Sequence, residues 1–224
     1  VQQKHIDEDK AKNAAIGSTN RGIQPAYSDK VSRTGKRVYD YLRDNSEVTK
    51  KLQSLGVTFT TVLEMREKFE KSSLIFEGSQ GALLDLSAGI YPYVSCGDAT
   101  VSGIYSSGFH FLKLDDVFSV MKPYLTKSGN GPLPTEMPDD EASDYRIRGG
   151  EVGSTTGRNR RIAYLDLPMA KYGTLKLGAT KLILTKMDIM NGTDQIKVCH
   201  SYGKPVYGPS DFFDVAPQYS YLPG

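Results

Sequence analysis

The chain has no tryptophan and only two cysteines in 224 residues. The missing tryptophan excludes nothing. The cysteine count excludes a disulfide-rich scaffold, and neither Cys96 nor Cys199 sits in a CxxC pair of the metal-binding kind. Both read as reduced, buried thiols of a cytosolic protein. Three histidines, His5, His110 and His200, are scattered without metal-ligand spacing and read as ordinary structural or surface residues. No apolar run is long enough to span a bilayer, and the chain does not open on the apolar core of a signal peptide. The formal net charge is +2, so neither nucleic acid nor a membrane surface is indicated as a partner. A GxxxxGK[ST] phosphate loop is absent as well. The chain opens on Val1 in a polar stretch and stops at Tyr221-Leu222-Pro223-Gly224, which reads as a piece of a longer protein cut at both ends.

What is present is a pair of glycine-and-hydroxyl loops. The first runs IGSTNRGIQPAY over residues 16–27, and the second GGEVGSTTGRNRR over 149–161. Glycine lets main-chain N–H groups approach closely, and arginine adds a bidentate fork. That mixture suits an oxygen-rich anion, and two such loops suggest phosphate and carboxylate held together.

Apolar spacing predicts helices over 28–55 (Val38, Leu42, Val48, Leu52, Leu55), 60–71, 114–127 and 163–177. Short apolar runs predict a buried strand at 73–76, a central strand at 181–186, and a half-buried or edge strand at 195–202. Residues 129–144, with Pro132, Pro134 and Pro138, read as loop. Helices alternating with apolar strands argue for an α/β fold with a mostly parallel central sheet flanked by helices.

Candidate chemistry lies after the strands. Gln80 follows the 73–76 run, where α/β sheets form ligand crevices; it offers an amide to a polar ring edge, or it is a surface residue in a tight turn. Ser95, in Tyr91-Pro92-Tyr93-Val94-Ser95, offers a hydroxyl beside an aromatic wall, or simply ends a strand. Thr185-Lys186-Met187-Asp188 closes a strong strand. Its carboxylate can accept from the N1–H and 2-amino groups of guanine while the lysine stem lies along the ring. Arg158, Arg160 and Arg161 crowd one turn and repel one another unless an anion neutralises them. A solvated basic turn is the alternative, and the preceding Ser154, Thr155 and Thr156 favour a bound carboxylate or phosphate. Lys30 and Arg33, a helical turn apart, form a further basic pair or a solvent-facing helix surface.

The order of these segments resembles one family, adenylosuccinate synthetase. IGSTNRGIQPAYSDKVSR (16–33), FEGSQGALLD…GIYPYVSCGDATVSG (76–103), GPLPTE (131–136), GGEVGSTTGRNRRIAYLDL (149–167) and LTKMDIMNGTDQIKVCHSY (184–202) stand where that family has its signatures, in the same order. The resemblance covers almost the whole chain. It implies a single, partial adenylosuccinate synthetase domain over 1–224, of a fold related to the P-loop NTPases. The implied enzyme is a cytoplasmic C–N ligase of purine nucleotide biosynthesis that joins L-aspartate to the 6-position of inosine monophosphate (IMP) with GTP.

Carried over residue by residue, the resemblance implies that Gln80 holds the 6-oxyanion and that Thr19 and Ser95 bond the 5′-phosphate. Arg33 reaches that phosphate from a neighbouring subunit, hence a homodimer. Thr155, Thr156, Arg158 and Arg160 hold the aspartate carboxylates, with Arg158 also near the ribose and Arg160 near the GTP phosphates. Lys186 and Asp188 read guanine. The catalytic Asp and His of the family, and the ligands of its magnesium ion, belong to an N-terminal stretch that these residues do not include. The piece alone is therefore expected to be inactive.

Departures from the pattern are Asn20 and Gln24 for glycines, Ser95 for threonine, Cys96-Gly97-Asp98-Ala99 for a polar rim, and a shortened 101–117. The shortening resembles archaeal and bacteriophage branches. One phage branch makes 2-aminoadenylosuccinate from dGMP with ATP, which is the rival reading within the enzymes. A non-catalytic guanine-nucleotide-binding module is the rival outside them, and the intact dicarboxylate loop argues against it.

Overall fold

The computed structural model describes residues 1–12, 18–153 and 157–224. They fall into two compact units, Val1–Lys10 with Asn20–Glu77, and Ala11–Thr19 with Gly78–Gly224.

The first unit is helical: α1 (Gln3–Lys12, whose last two residues count with the other unit), α2 (Ile23–Val31), α3 (Val38–Asp44), α4 (Ser46–Ser54) and α5 (Val62–Phe69). The single helix expected over 28–55 is three. The chain leaves helical geometry at Ser32–Arg37, where Arg33 takes φ 64°, and again at Asn45. Arg33 therefore lies beyond the end of α2, and the helical pairing expected for Lys30 and Arg33 does not form. α5 matches its expectation, and Thr61 and Glu64 make the reciprocal capping box that starts it. The α1 side chains His5 and Asp9 are buried; Asp9 accepts from Gly22 N–H at 2.8 Å, and His5 meets Asp29 at 2.9 Å. Gly22 has φ 72°, and a Cβ there would come within 2.7 Å of the His5 backbone, so only glycine fits. The expected strand at 73–76 forms no ladder, and Ile75 is 97% exposed.

The second unit is α/β. A parallel pair joins β1 (Phe118–Met121) to β4 (Lys181–Leu184). A four-stranded mixed sheet runs β2 (Tyr124–Lys127), β3 (Arg161–Asp166), β5 (Gln195–Ser201), β6 (Gln218–Pro223). Its central β3–β5 pairing is parallel and its flanking pairings are antiparallel. Helices α6 (Ser102–Ser106), α7 (Asp139–Gly149) and α8 (Leu167–Leu177) complete it. Two clusters form its core, one around Tyr124, Ile162, Tyr164 and Met190, the other around Ile90, Met169, Tyr202 and Phe212.

Three expectations fail here for physical reasons. Residues 114–127 form two strands, because Pro123 interrupts the run and the short apolar stretches on either side find ladder partners. Residues 163–166 belong to β3, and α8 starts only where Asp166 caps it and Pro168 enters the first turn. Part of the expected loop at 129–144 is α7, whose first turn carries Asp139, Asp140 and Glu141 and whose last turn carries Arg146 and Arg148, the charge order that the helix dipole favours. The strand at 181–184 forms, but all four of its residues are exposed.

Candidate functional site

β3, α7 and the turn after β4 assemble one polar cluster. α7 ends at Gly150 in a left-handed conformation, φ 59°. The chain then runs out and back: Glu151 O accepts from Arg160 N–H at 3.0 Å, Val152 bridges Asn159, and Gly153 exchanges with Arg158 and Gly157. This ladder brackets residues 154–156, so Thr155 and Thr156 lie outside the described residues, as do Ile16 and Gly17 of the first loop.

The ladder turns the Glu151 side chain inward, where it is fully buried. Oε1 accepts from the Tyr124 hydroxyl at 2.7 Å and from Lys122 Nζ at 2.8 Å, and meets Lys186 Nζ at 3.3 Å. Oε2 accepts from Arg160 at 2.8 Å. Burial works to raise the carboxyl, but Lys122, Tyr124 and Arg160 outweigh it and hold it at about 2. Burial, and then Glu151, push the Tyr124 hydroxyl up, with Asp188 close enough to add to the effect. Lys122 is lowered by burial, with Lys186 and Arg160 repelling it and Glu151 opposing.

Lys186 sits at φ 55° and also donates to the carbonyl of Gly149, at the C-terminal end of α7. Arg148 ties the following 3-10 turn, Met187–Met190, to the same helix, donating to Ile189 O at 2.5 Å. Asp188 is exposed on that turn. The expected clamp residue Arg160 and the expected base-reading Lys186 thus meet on one carboxylate.

Two of the three crowded arginines meet carboxylates within the fold. Arg160 pairs with Glu151, and Arg161 pairs with Glu136 of the GPLPTE segment while donating to Gly131 O at 2.8 Å. Arg158 is exposed on the returning arm.

Gln80 and Ser95 lie in one looping stretch of the second unit, with no hydrogen bond between them among the described residues. Gln80 is exposed at φ 70°, just before the 3-10 turn Ala82–Leu84, and Ser95 N–H donates to Leu84 O at 2.7 Å. Asp85 pins this loop. It is buried and accepts from Ser87, Ala88 and Ala99 N–H at 2.7–2.9 Å. Burial raises its carboxyl, the backbone donors outweigh that, and the net direction is down. Thr19 is exposed and counts with this same unit; Arg33 belongs to the first. Among the described residues four non-glycine positions hold positive φ: Asn20, Arg33, Gln80 and Lys186. Three of them are expected site residues, and such conformations persist where the surroundings enforce them.

Sequence reasoning missed Glu151, Lys122, Arg148 and Asp85. The glutamate stands inside the glycine-rich GGEVG, an available signal, since a carboxylate amid arginines is their natural counter-ion. Lys122 is separated from Glu151 by 29 residues and gave no local signal. A shallow concavity of about 450 Å³ in the first unit, lined by Gln53, Gly56, Val57, Thr58 and Phe59, contains no charged side chain and none of these residues.

The adenylosuccinate synthetase family model matches residues 1–65 and 47–224. The chain belongs to the adenylosuccinate synthetase family. The adenylosuccinate synthetase of Petrotoga mobilis is 38% identical over 98% of this chain and 62% of its own length. That of Thermotoga maritima is 36% identical over 93% and 60%. The chain thus spans about three fifths of these curated relatives. The structure of fully ligated adenylosuccinate synthetase from Plasmodium falciparum superposes with a TM-score of 0.82 at 28% identity, covering 99% of this chain and 64% of that one. The succinoaminodeoxyadenylate synthetase of cyanophage S-2L, bound to dGMP and dATP, shares the fold with a TM-score of 0.65 at 24% identity, covering 82% and 55%.

The family implies magnesium, and the described residues do not fit it. Among them no cluster of His, Cys, Asp or Glu could hold a metal ion, and the buried carboxylate of the site is ringed by cations. No described helix is long and apolar enough to cross a membrane.

Proposed function

We propose that the protein to which this chain belongs joins L-aspartate to the 6-position of IMP with GTP, releasing adenylosuccinate, GDP and phosphate in purine nucleotide biosynthesis. The γ-phosphoryl group passes to the 6-oxygen. The aspartate amine then forms the C–N bond at C6, the C–O bond to the phosphorylated oxygen breaks, and phosphate leaves as the amine gives up a proton. The observation that carries this reading is the shared carboxylate, Glu151, which brings Arg160 of the hydroxyl-and-arginine loop against Lys186 of the base-reading turn. Preset cations of this kind stabilise a developing phosphoryl charge without reorganising.

In this reading Gln80 holds the 6-oxyanion. Thr19, Ser95 and, in a cytoplasmic homodimer, a neighbouring subunit's copy of Arg33 hold the 5′-phosphate of IMP. Thr155, Thr156, Arg158 and Arg160 hold aspartate, and Lys186 with Asp188 reads the guanine of the donor. The 224 residues form part of one synthetase domain. Magnesium would be held outside the described residues.

The test is phosphate release by the intact gene product with IMP or dGMP as acceptor, GTP or ATP as donor, and aspartate present or absent. Aspartate-dependent release from IMP and GTP is expected. Release from dGMP with ATP instead would assign the chain to the phage-type chemistry. Nucleotide binding without aspartate-dependent release would leave only a binding module.

A further inference from the structure

Glu151 is fully buried, yet it joins two loops that the proposed reaction uses for different substrates. Three cations touch its side chain: Lys122, Arg160 and Lys186. One carboxylate balances one of them, so these four side chains carry a surplus of two positive charges. The surplus faces outward, because the side chains of Arg160 and Lys186 keep 32% and 39% exposure while Lys122 keeps 19%. Measured against apolar side chains of the same volume, this arrangement is a poor stabilising device. A buried ion pair seldom outperforms apolar packing, and crowding three cations on one anion adds repulsion. As a positioning device it is effective. The backbone ladder fixes Glu151 against Arg160, the Gly149 carbonyl fixes Lys186, and the Tyr124 hydroxyl fixes the carboxylate between them.

We infer, resting on the function proposed above, that Glu151 is a positioning residue that couples the aspartate-and-phosphate clamp at Arg160 to the donor-base pocket at Lys186 and Asp188. Each cation is held at a set distance from the other, so the amino diacid and the guanine nucleotide meet a geometry neither has to build. Loss of the carboxylate loosens both subsites together.

The experiment measures kcat and KM for aspartate, GTP and IMP in the intact gene product and in its Glu151→Gln variant. Tyr202→Phe serves as a control: its hydroxyl donates at 2.6 Å to another buried carboxylate, Asp166, which caps α8. For Glu151→Gln the KM values for aspartate and GTP are expected to rise together by at least fivefold, with a smaller change in kcat. Tyr202→Phe is expected to lower stability and leave both KM values within twofold. If the amide variant does not fold, Glu151→Asp retains the charge but shortens its reach, and at least one of the two KM values is expected to rise. Unchanged KM values for aspartate and GTP in an active, folded Glu151 variant would overturn the inference and leave the proposed function standing. An equal rise in Tyr202→Phe would do the same. An intact wild type without aspartate-dependent phosphate release would overturn the function and this inference with it.

Discussion

Acid should weaken the second unit through Glu151, and the size of the effect follows from its surroundings. The carboxyl is held at about 2 against an ordinary value of 4.5. Because the folded value is the lower one, the unfolded chain takes up the proton first as pH falls. The stabilisation is complete above 4.5 and drains away as pH drops towards 2. A depression of that size corresponds to about 3 kcal/mol at neutral pH, with roughly 1–2 kcal/mol gone by pH 3.5. An amide at this position has no such proton to take up. Urea unfolding followed by circular dichroism at several pH values between 7 and 3.5 should therefore show the gap between wild type and Glu151→Gln narrowing as pH falls. A carboxyl-carbon NMR titration of wild type should show Glu151 still ionised at pH 3. A gap that stays constant over that range, or a Glu151 resonance titrating near 4.5, would refute the argument from the cation ring.

Three other outcomes are expected. Arg158→Leu in the intact gene product should raise KM for aspartate by about tenfold or more, the scale of a lost charge-assisted hydrogen bond; steady-state kinetics would check it, and an unchanged value would remove Arg158 from the site. Asp188→Asn should reduce the preference for GTP over other nucleoside triphosphates, measured as the ratio of kcat/KM values. Gly22→Ala should destabilise the helical unit by more than about 1 kcal/mol, because the new methyl group meets the His5 backbone at 2.7 Å in a left-handed conformation; thermal unfolding of the variant beside the unsubstituted protein reports it.

Part of the candidate site was legible because its residues are contiguous. The arms flanking 154–156 and the tetrapeptide 185–188 could be read from residue type alone, and both motifs occupy positions that the α/β framework brings together. The framework itself was read less well. Residues 114–127 have an apolar spacing compatible with helix, and only their pairing with 181–184 and 161–164, more than thirty residues away, decides for strands. Residues 73–76 have the composition of a buried strand but no ladder partner among the described residues, and composition cannot supply one. The partner of Arg161 was hidden for the same reason, since Glu136 reaches it through the fold. Glu151 stands only nine residues from Arg160, and the reading of that loop looked for a bound anion and passed over the carboxylate already in it.

The left-handed backbone at Arg33, Gln80 and Lys186 makes these codons a place where two kinds of selection would pull apart. Glycine at any of them relieves a conformational penalty of about 1 kcal/mol, so a library sorted for thermal robustness should enrich it. Under the proposed function, the same library built in the intact gene product and sorted for turnover should discard it, since the amide, guanidinium or ammonium group goes with the side chain. A population showing opposite glycine enrichment in the two sorts would mark, without any ligand in hand, where the proposed chemistry and robustness conflict.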